Sequence, residues 1–212
     1  ALFPADLLWG AESDSDLAKK LQNPVSDLIS VPFQNNFNFN YGPNNDMQYV
    51  LNVQPVIPVH LIKEWNLITR TIIPVINQPW PQSRGGLGDI NASLFLSPAK
   101  LTPVAEGGLF WGVGPVLLFP TATNDVLGSG KWGAGPTAVV GYLGKTWVIG
   151  ALANNIWSYA GDDKRPYVNL MTVQPFINYN LPDAWYIQFS PIITANWSAK
   201  ESQQWTVPLG GA

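Results

Sequence analysis

The 212-residue chain carries a net charge of −3 and only 12% charged residues, about half the share found in ordinary soluble domains. It has no basic cluster and no cysteine, so nucleic acid is not an expected partner and neither disulfides nor thiolate metal sites can form. The 10 tryptophans combined with so little charge fit a lipid-facing surface with aromatic girdles, the alternative being a Trp-rich soluble β-sandwich of the sugar-binding kind. No uninterrupted apolar run reaches the ~18 residues a membrane helix needs, so any bilayer would have to be crossed by strands.

Two units are expected along the chain, an arm over residues 1–30 and a barrel over residues 31–212. Residues 1–10 are apolar but broken by Pro4 and Asp6, which fits the remnant of a secretion signal. Over residues 14–30 the spacing of Leu17, Leu21, Val25 and Leu28 predicts a short amphipathic helix interrupted near Asn23-Pro24. A plain polar arm is the alternative. Strand-like segments follow at 31–41, 47–59, 65–76, 87–97, 108–118, 132–143, 146–157, 168–179, 185–196 and 203–209, most near the 9 to 11 residues of a tilted membrane strand. Their connections alternate between mostly long ones (42–46, 77–86, 120–131, 158–167, 197–202) and shorter turns (60–64, 98–107, 144–145, 180–184). The expected fold is therefore all-β, an antiparallel transmembrane β-barrel with its amino end on the short-turn, periplasmic side.

Period-two alternation assigns the faces. In 185–197 one parity is apolar with a Trp at each end, and the other carries Tyr186, Gln188, Ser190, Thr194 and Asn196. The same parity rule turns Asn52, Gln54, Asp89, Asn91, Gln174, Asn178 and Gln188 inward as candidate lumen-lining residues. Arg70 and Asp89, read as the charges inside membrane strands, are both expected inward and within reach of one another as a pair. Trp111-Gly112-Val113-Gly114-Pro115 returns as Trp132-Gly133-Ala134-Gly135-Pro136, each copy opening a charge-free run. Against the barrel stand Pro55, Pro58, Pro74, Pro115, Pro136, Pro175 and Pro191 inside proposed strands, where each removes a ladder donor and demands a bulge or an edge.

Several stretches carry a family resemblance: Pro32-Phe33-Gln34-Asn35-Asn36, Asn52-Val53-Gln54-Pro55-Val56-Ile57-Pro58, Trp65-Asn66-Leu67-Ile68-Thr69-Arg70-Thr71, Gly86-Leu87-Gly88-Asp89-Ile90, both Trp-Gly-Xaa-Gly-Pro copies, and Val173-Gln174-Pro175. From about Asp16 onward the chain resembles bacterial outer-membrane β-barrel proteins labelled transporters of the phenol-degradation meta-pathway type, often mislabelled neuromedin U. The resemblance implies a Gram-negative outer-membrane channel and leaves its substrate open; the expected function is a channel or facilitator for passive transport of small molecules, with aromatic or hydrophobic ones as one option. Its partners would be membrane lipid and the solute. It carries over no catalytic residue. The carboxyl end, Leu209-Gly210-Gly211-Ala212, departs from relatives that continue by about two more strands, so roughly twelve strands are expected in the intact protein.

Residue chemistry adds no enzyme. His60, the single histidine, falls in an expected turn beside Lys63 and Glu64, without the packed neighbours a catalytic base requires. Asp162-Asp163 is followed at once by Lys164-Arg165, and Gly128-Ser129-Gly130-Lys131 lacks the rest of a phosphate loop. No cofactor, metal or catalytic residue is expected. Two alternatives to a channel stand: a structural barrel without an open pore, and an outer-membrane lipid hydrolase.

Overall fold

The computed structural model describes residues 14–208. The segment read as a signal remnant and the chain end from Leu209 lie outside that range. The elements are helix α1 (Asp14–Leu21) and strands β1 (Phe33–Tyr41), β2 (Asp46–Val53), β3 (Val56–Ile62), β4 (Trp65–Gln78), β5 (Arg84–Leu87), β6 (Ile90–Pro98), β7 (Thr102–Val104), β8 (Gly107–Phe119), β9 (Lys131–Leu143), β10 (Trp147–Gly161), β11 (Asn169–Asn180), β12 (Tyr186–Phe189), β13 (Ile193–Asn196) and β14 (Trp205–Thr206). All belong to one antiparallel sheet in the order β1-β2-β4-β6-β8-β9-β10-β11-β13-β14. Every wall pairs with its neighbour in sequence, which is the meander that short hairpin connections enforce. Among the described residues the sheet does not close: β1 pairs only with β2, and β14 only with β13.

Fourteen short strands make ten walls because several are halves of one strand. β2 and β3 hold one register against β4, from Tyr49↔Asn77 to Val53↔Ile73 and on through Val56↔Arg70. β12 and β13 do the same against β11. These walls follow the expected segments. The differences are local: α1 stops at Leu21, before the Asn23-Pro24 interruption, β7 is an added strand inside the 98–107 turn, and β14 has two residues.

The prolines explain the breaks. Pro115 and Pro136 face each other across β8 and β9. On the far side of each, the ladder skips: β6–β8 pairing passes from Ser93↔Val116 to Leu96↔Val113, and β10–β9 pairing from Asn154↔Thr137 to Trp157↔Ala134. Each gap sits where proline has no N–H to give. The carbonyls of Leu94 and Asn155, opposite those prolines, occupy the space a Cβ on Gly114 and Gly135 would need. That close approach is why glycine precedes proline in both copies of the repeat. The β2–β3 break contains Pro55, and the β12–β13 break contains Pro191. Pro58 lies on β3, whose far side is bridged only at Ser30↔Val56.

Alternation gives the sheet two unlike faces. On the inner face Ile68, Phe95, Val116 and Val148 are fully buried, and Phe110, Val139, Leu152, Ile156 and Phe176 are nearly so. On the outer face Ile57, Val59, Val113, Val140, Ile149, Ile177, Ile187 and Phe189 are exposed. No helix among the described residues is long and apolar enough to cross a membrane.

Candidate functional site

The inner face has an apolar band built on small residues. Gly141 and Gly150 lie under the rings of Phe110 and Phe176, and an added Cβ at either would collide with a phenyl edge. The two rings stack 6.3 Å apart with planes 8° from parallel. They come from strands separated by two others, so the glycines let large side chains from flanking walls lie flat and meet over the middle. Phe95, Ile68, Val56, Val139, Val148 and Leu152 complete the band.

A polar wall runs beside it. An Arg70 Nη2–H donates to Gln54 Oε1 at 2.6 Å, Gln54 Nε2–H to Gln34 Oε1 at 2.6 Å, and Gln34 Nε2–H to Asn36 Oδ1 at 3.1 Å. Asn52 pairs opposite Gln34 and Pro74, and Asn91 opposite Ile72, so both share the face of Arg70. On the other flank Gln174 Nε2 donates to Ser190 Oγ at 3.0 Å, Asn178 Nδ2 donates to Gln22 Oε1 at 3.1 Å, and Gln188 sits opposite Asn178. No carboxylate lies within salt-bridge distance of Arg70 among the described residues.

The expected pairing of Arg70 with Asp89 is therefore corrected. Asp89 lies between β5 and β6, outside either strand, and its carboxylate is taken by the long connection after β8. Oδ2 accepts from Ser129 N and Ser129 Oγ, each at 2.6 Å, and Oδ1 accepts from Ala122 N at 3.2 Å. Gln78 Nε2 donates to Val126 O at 3.0 Å, and Leu127, 6% exposed, packs toward Gly86 and Gly88. Arg165 from the next long loop donates to the carbonyls of Asp125, Gly128 and Ser129. Segment 120–130 is thus folded against the wall at the loop end and held there by two charged groups.

The arm occupies the opposite end. Gln22, Asn23, Val25 and Ser26 are buried, and Val25 joins the inner-face cluster. Gln22 bonds to Asn178 and Asn180 on β11, while Asp27 Oδ1 lies 3.3 Å from His60 Nε2 on β3. The five-residue step from Gln22 to Asp27 joins β11 to β3, six strand spacings away in the sheet, and Ile68, Phe95, Val116 and Val148 on the inner face are 0% exposed, as a sheet curled around the arm leaves them.

His60 is also corrected: it belongs to β3, not to a turn. Nδ1 lies 3.0 Å from Asn66 Oδ1 and Nε2 faces Asp27. Both ring nitrogens are engaged, and neither meets a serine hydroxyl. No group of three or more metal-ligating side chains occurs among the described residues.

Outside, aromatic residues gather at two levels. Near the short turns Trp65 packs on Trp111 at 5.7 Å and Trp147 on Tyr179 at 4.8 Å. Near the long loops Phe119 packs on Trp132 at 5.7 Å and Trp197 on Trp205 at 5.6 Å. Parity alone made the two levels visible in the sequence. The arm's position inside the sheet was not visible, because Gln22 and Val25 carry no periodic signal that names their partners. Compared with family models, curated proteins and solved structures, the chain matches none.

Proposed function

We propose that this sheet belongs to an antiparallel β-barrel of a bacterial outer membrane, and that the protein is a passive channel for small molecules. The observation that carries the reading is the outer face, where large apolar side chains lie exposed, while the inner face buries Gln54, Asn66, Ser93, Thr137 and Asn178 beside its apolar band. A soluble protein rarely exposes an apolar surface of that extent. The aromatic levels support it. Trp147 and Trp157 lie on one face of β10, and the ten steps from one to the other span ~34 Å along the strand, or ~26 Å once tilted by ~40°. That is the height of an outer-membrane apolar band. In lipid every backbone group needs a partner, so in a barrel the free edges of β1 and β14 would both have to be paired.

Arg70 gives the wall its character. It is a cation on the inner face with a neutral amide as its hydrogen-bond partner, so it favours solutes that present a polar or anionic group. A second reading, a barrel with no open pore, is favoured by the apolar band and the arm that fill much of the inner face.

Conductance of the purified protein in planar bilayers separates the two. Discrete channel steps, with anion preference reduced in Arg70→Gln, are expected. A silent bilayer with correctly folded, β-rich protein would leave the pore-less barrel as the better reading. Unchanged selectivity with a lowered melting temperature in Arg70→Gln would assign that residue to wall stability alone.

A further inference from the structure

We infer that residues 22–30 are a displaceable plug that gates the lumen at its short-turn end. The inference rests on the channel reading above and adds its regulation. The segment lies within the curl of the sheet and touches opposite flanks: Gln22 on β11, Val25 against Gly112 of β8 and Phe95 of β6, Asp27 on β3. Among the described residues its backbone joins the sheet where Ser30 and Val56 exchange hydrogen bonds of 3.1 and 2.8 Å, followed by Gln54 N donating to Pro32 O at 2.9 Å. Those bonds form a hinge.

Beyond the hinge the plug makes no sheet hydrogen bonds of its own backbone. Ser26 N donates to Asn23 O at 3.1 Å and Val25 N to Asn23 Oδ1 at 3.0 Å, which closes an internal turn. It can therefore leave as a unit without orphaning the backbone groups that a ladder strand would orphan. What seats it is weak: neutral amide pairs from Gln22, one valine, and a half-exposed Asp27–His60 contact. Packing beneath it is also incomplete. A cleft of about 210 Å³ lies between the arm and the walls that carry Asn66, Ser97, Phe110 and Leu143. The apolar band that Val25 covers becomes accessible when the plug swings out.

The chain has no native cysteine, so a reversible lock can be installed. A Cβ built on Gly112 lies 3.1 Å from Val25 Cγ1, within range for a disulfide between Val25→Cys and Gly112→Cys. Full-length protein with this pair should conduct when reduced, fall silent when oxidised, and recover with dithiothreitol. Since Gly112→Cys also presses on Phe95, a second variant covers a folding failure: Val25→Asp places a charge in the apolar band and should raise open probability about tenfold. Equal conductance of oxidised and reduced protein, with Val25→Asp also unchanged, overturns the plug and leaves the channel reading standing. Silence of the wild type, the reduced pair and Val25→Asp alike removes the channel reading, and the gate with it.

Discussion

The two ends of the inner face are both covered, but by different physics. At the loop end, segment 120–130 is bound by a carboxylate and a guanidinium, and Asp89 alone accepts three hydrogen bonds. At the short-turn end, the arm is held mainly by neutral amides, one buried valine and a half-exposed Asp27–His60 contact. Hydrogen bonds to charged groups are worth about 1.5–3 kcal/mol each and neutral ones about 0.5–1.5, so the first cover is a fixture and the second is poised to move. One sheet thus carries a rigid rim and a mobile floor.

Substitutions at four positions break or sharpen that contrast. The largest effect is expected for Asp89→Ala, which releases Ser129 and Ala122 together and should lower stability by about 3 kcal/mol. Limited proteolysis in detergent should then cut within 120–130, and an uncut loop with an unchanged melting temperature would remove the fixture argument. Arg165→Ala should cost about 2 kcal/mol by freeing the carbonyls of Asp125, Gly128 and Ser129. Arg165→Lys should restore less than half of it, because an ammonium lacks the planar fork; full rescue by lysine would show that charge alone suffices.

At the other end the effects should be smaller and local. Val25→Ala removes two methyl groups from the apolar band, about 1.5 kcal/mol of docking energy. It should raise hydrogen exchange in residues 22–30 while global melting stays put, and a matching fall in global stability would mean that the arm is an integral part of the fold. His60→Ala, which deletes a half-exposed contact, should change arm protection by about 0.5 kcal/mol or less. A loss several times larger would show that the contacts of His60 with Asn66 and Asp27 organise the whole end.

The strand walls and their faces were legible in local sequence. Trp185, Ile187 and Phe189 alternate with Tyr186 and Gln188, and a period of two fixes which side each takes once the segment is extended. The prolines were legible as a conflict but not as its solution. Pro115 and Pro136 sit beside ladder gaps only because their repeats pair in a register that places them opposite one another, and each glycine gives room to a carbonyl from the neighbouring strand. The candidate site was legible as a face, and its bonds were not. Parity put Arg70, Gln54 and Asn52 together. It could not say that Gln54 would take Arg70 while Asp89 went to a loop forty residues further along the chain.

What the sequence determined by itself is what a single strand can express: apolar and polar parity, the aromatic ends of each wall, the connection lengths, and with them an antiparallel all-β sheet. Each is a short-range property, set by backbone pleat and hydropathy within about a dozen residues. What only the tertiary structure decided are the long-range choices: the capture of Asp89 by Ser129, the stacking of Phe110 on Phe176 above Gly141 and Gly150, and the seating of the arm between β3 and β11. Such partners meet through the register and curl of several walls at once, and a difference of one residue in register turns a side chain to the other face. A carboxylate takes the nearest cluster of donors that the fold delivers: backbone and hydroxyl donors of a folded-in loop meet Asp89, while Arg70 on the adjacent wall sits opposite Ser93.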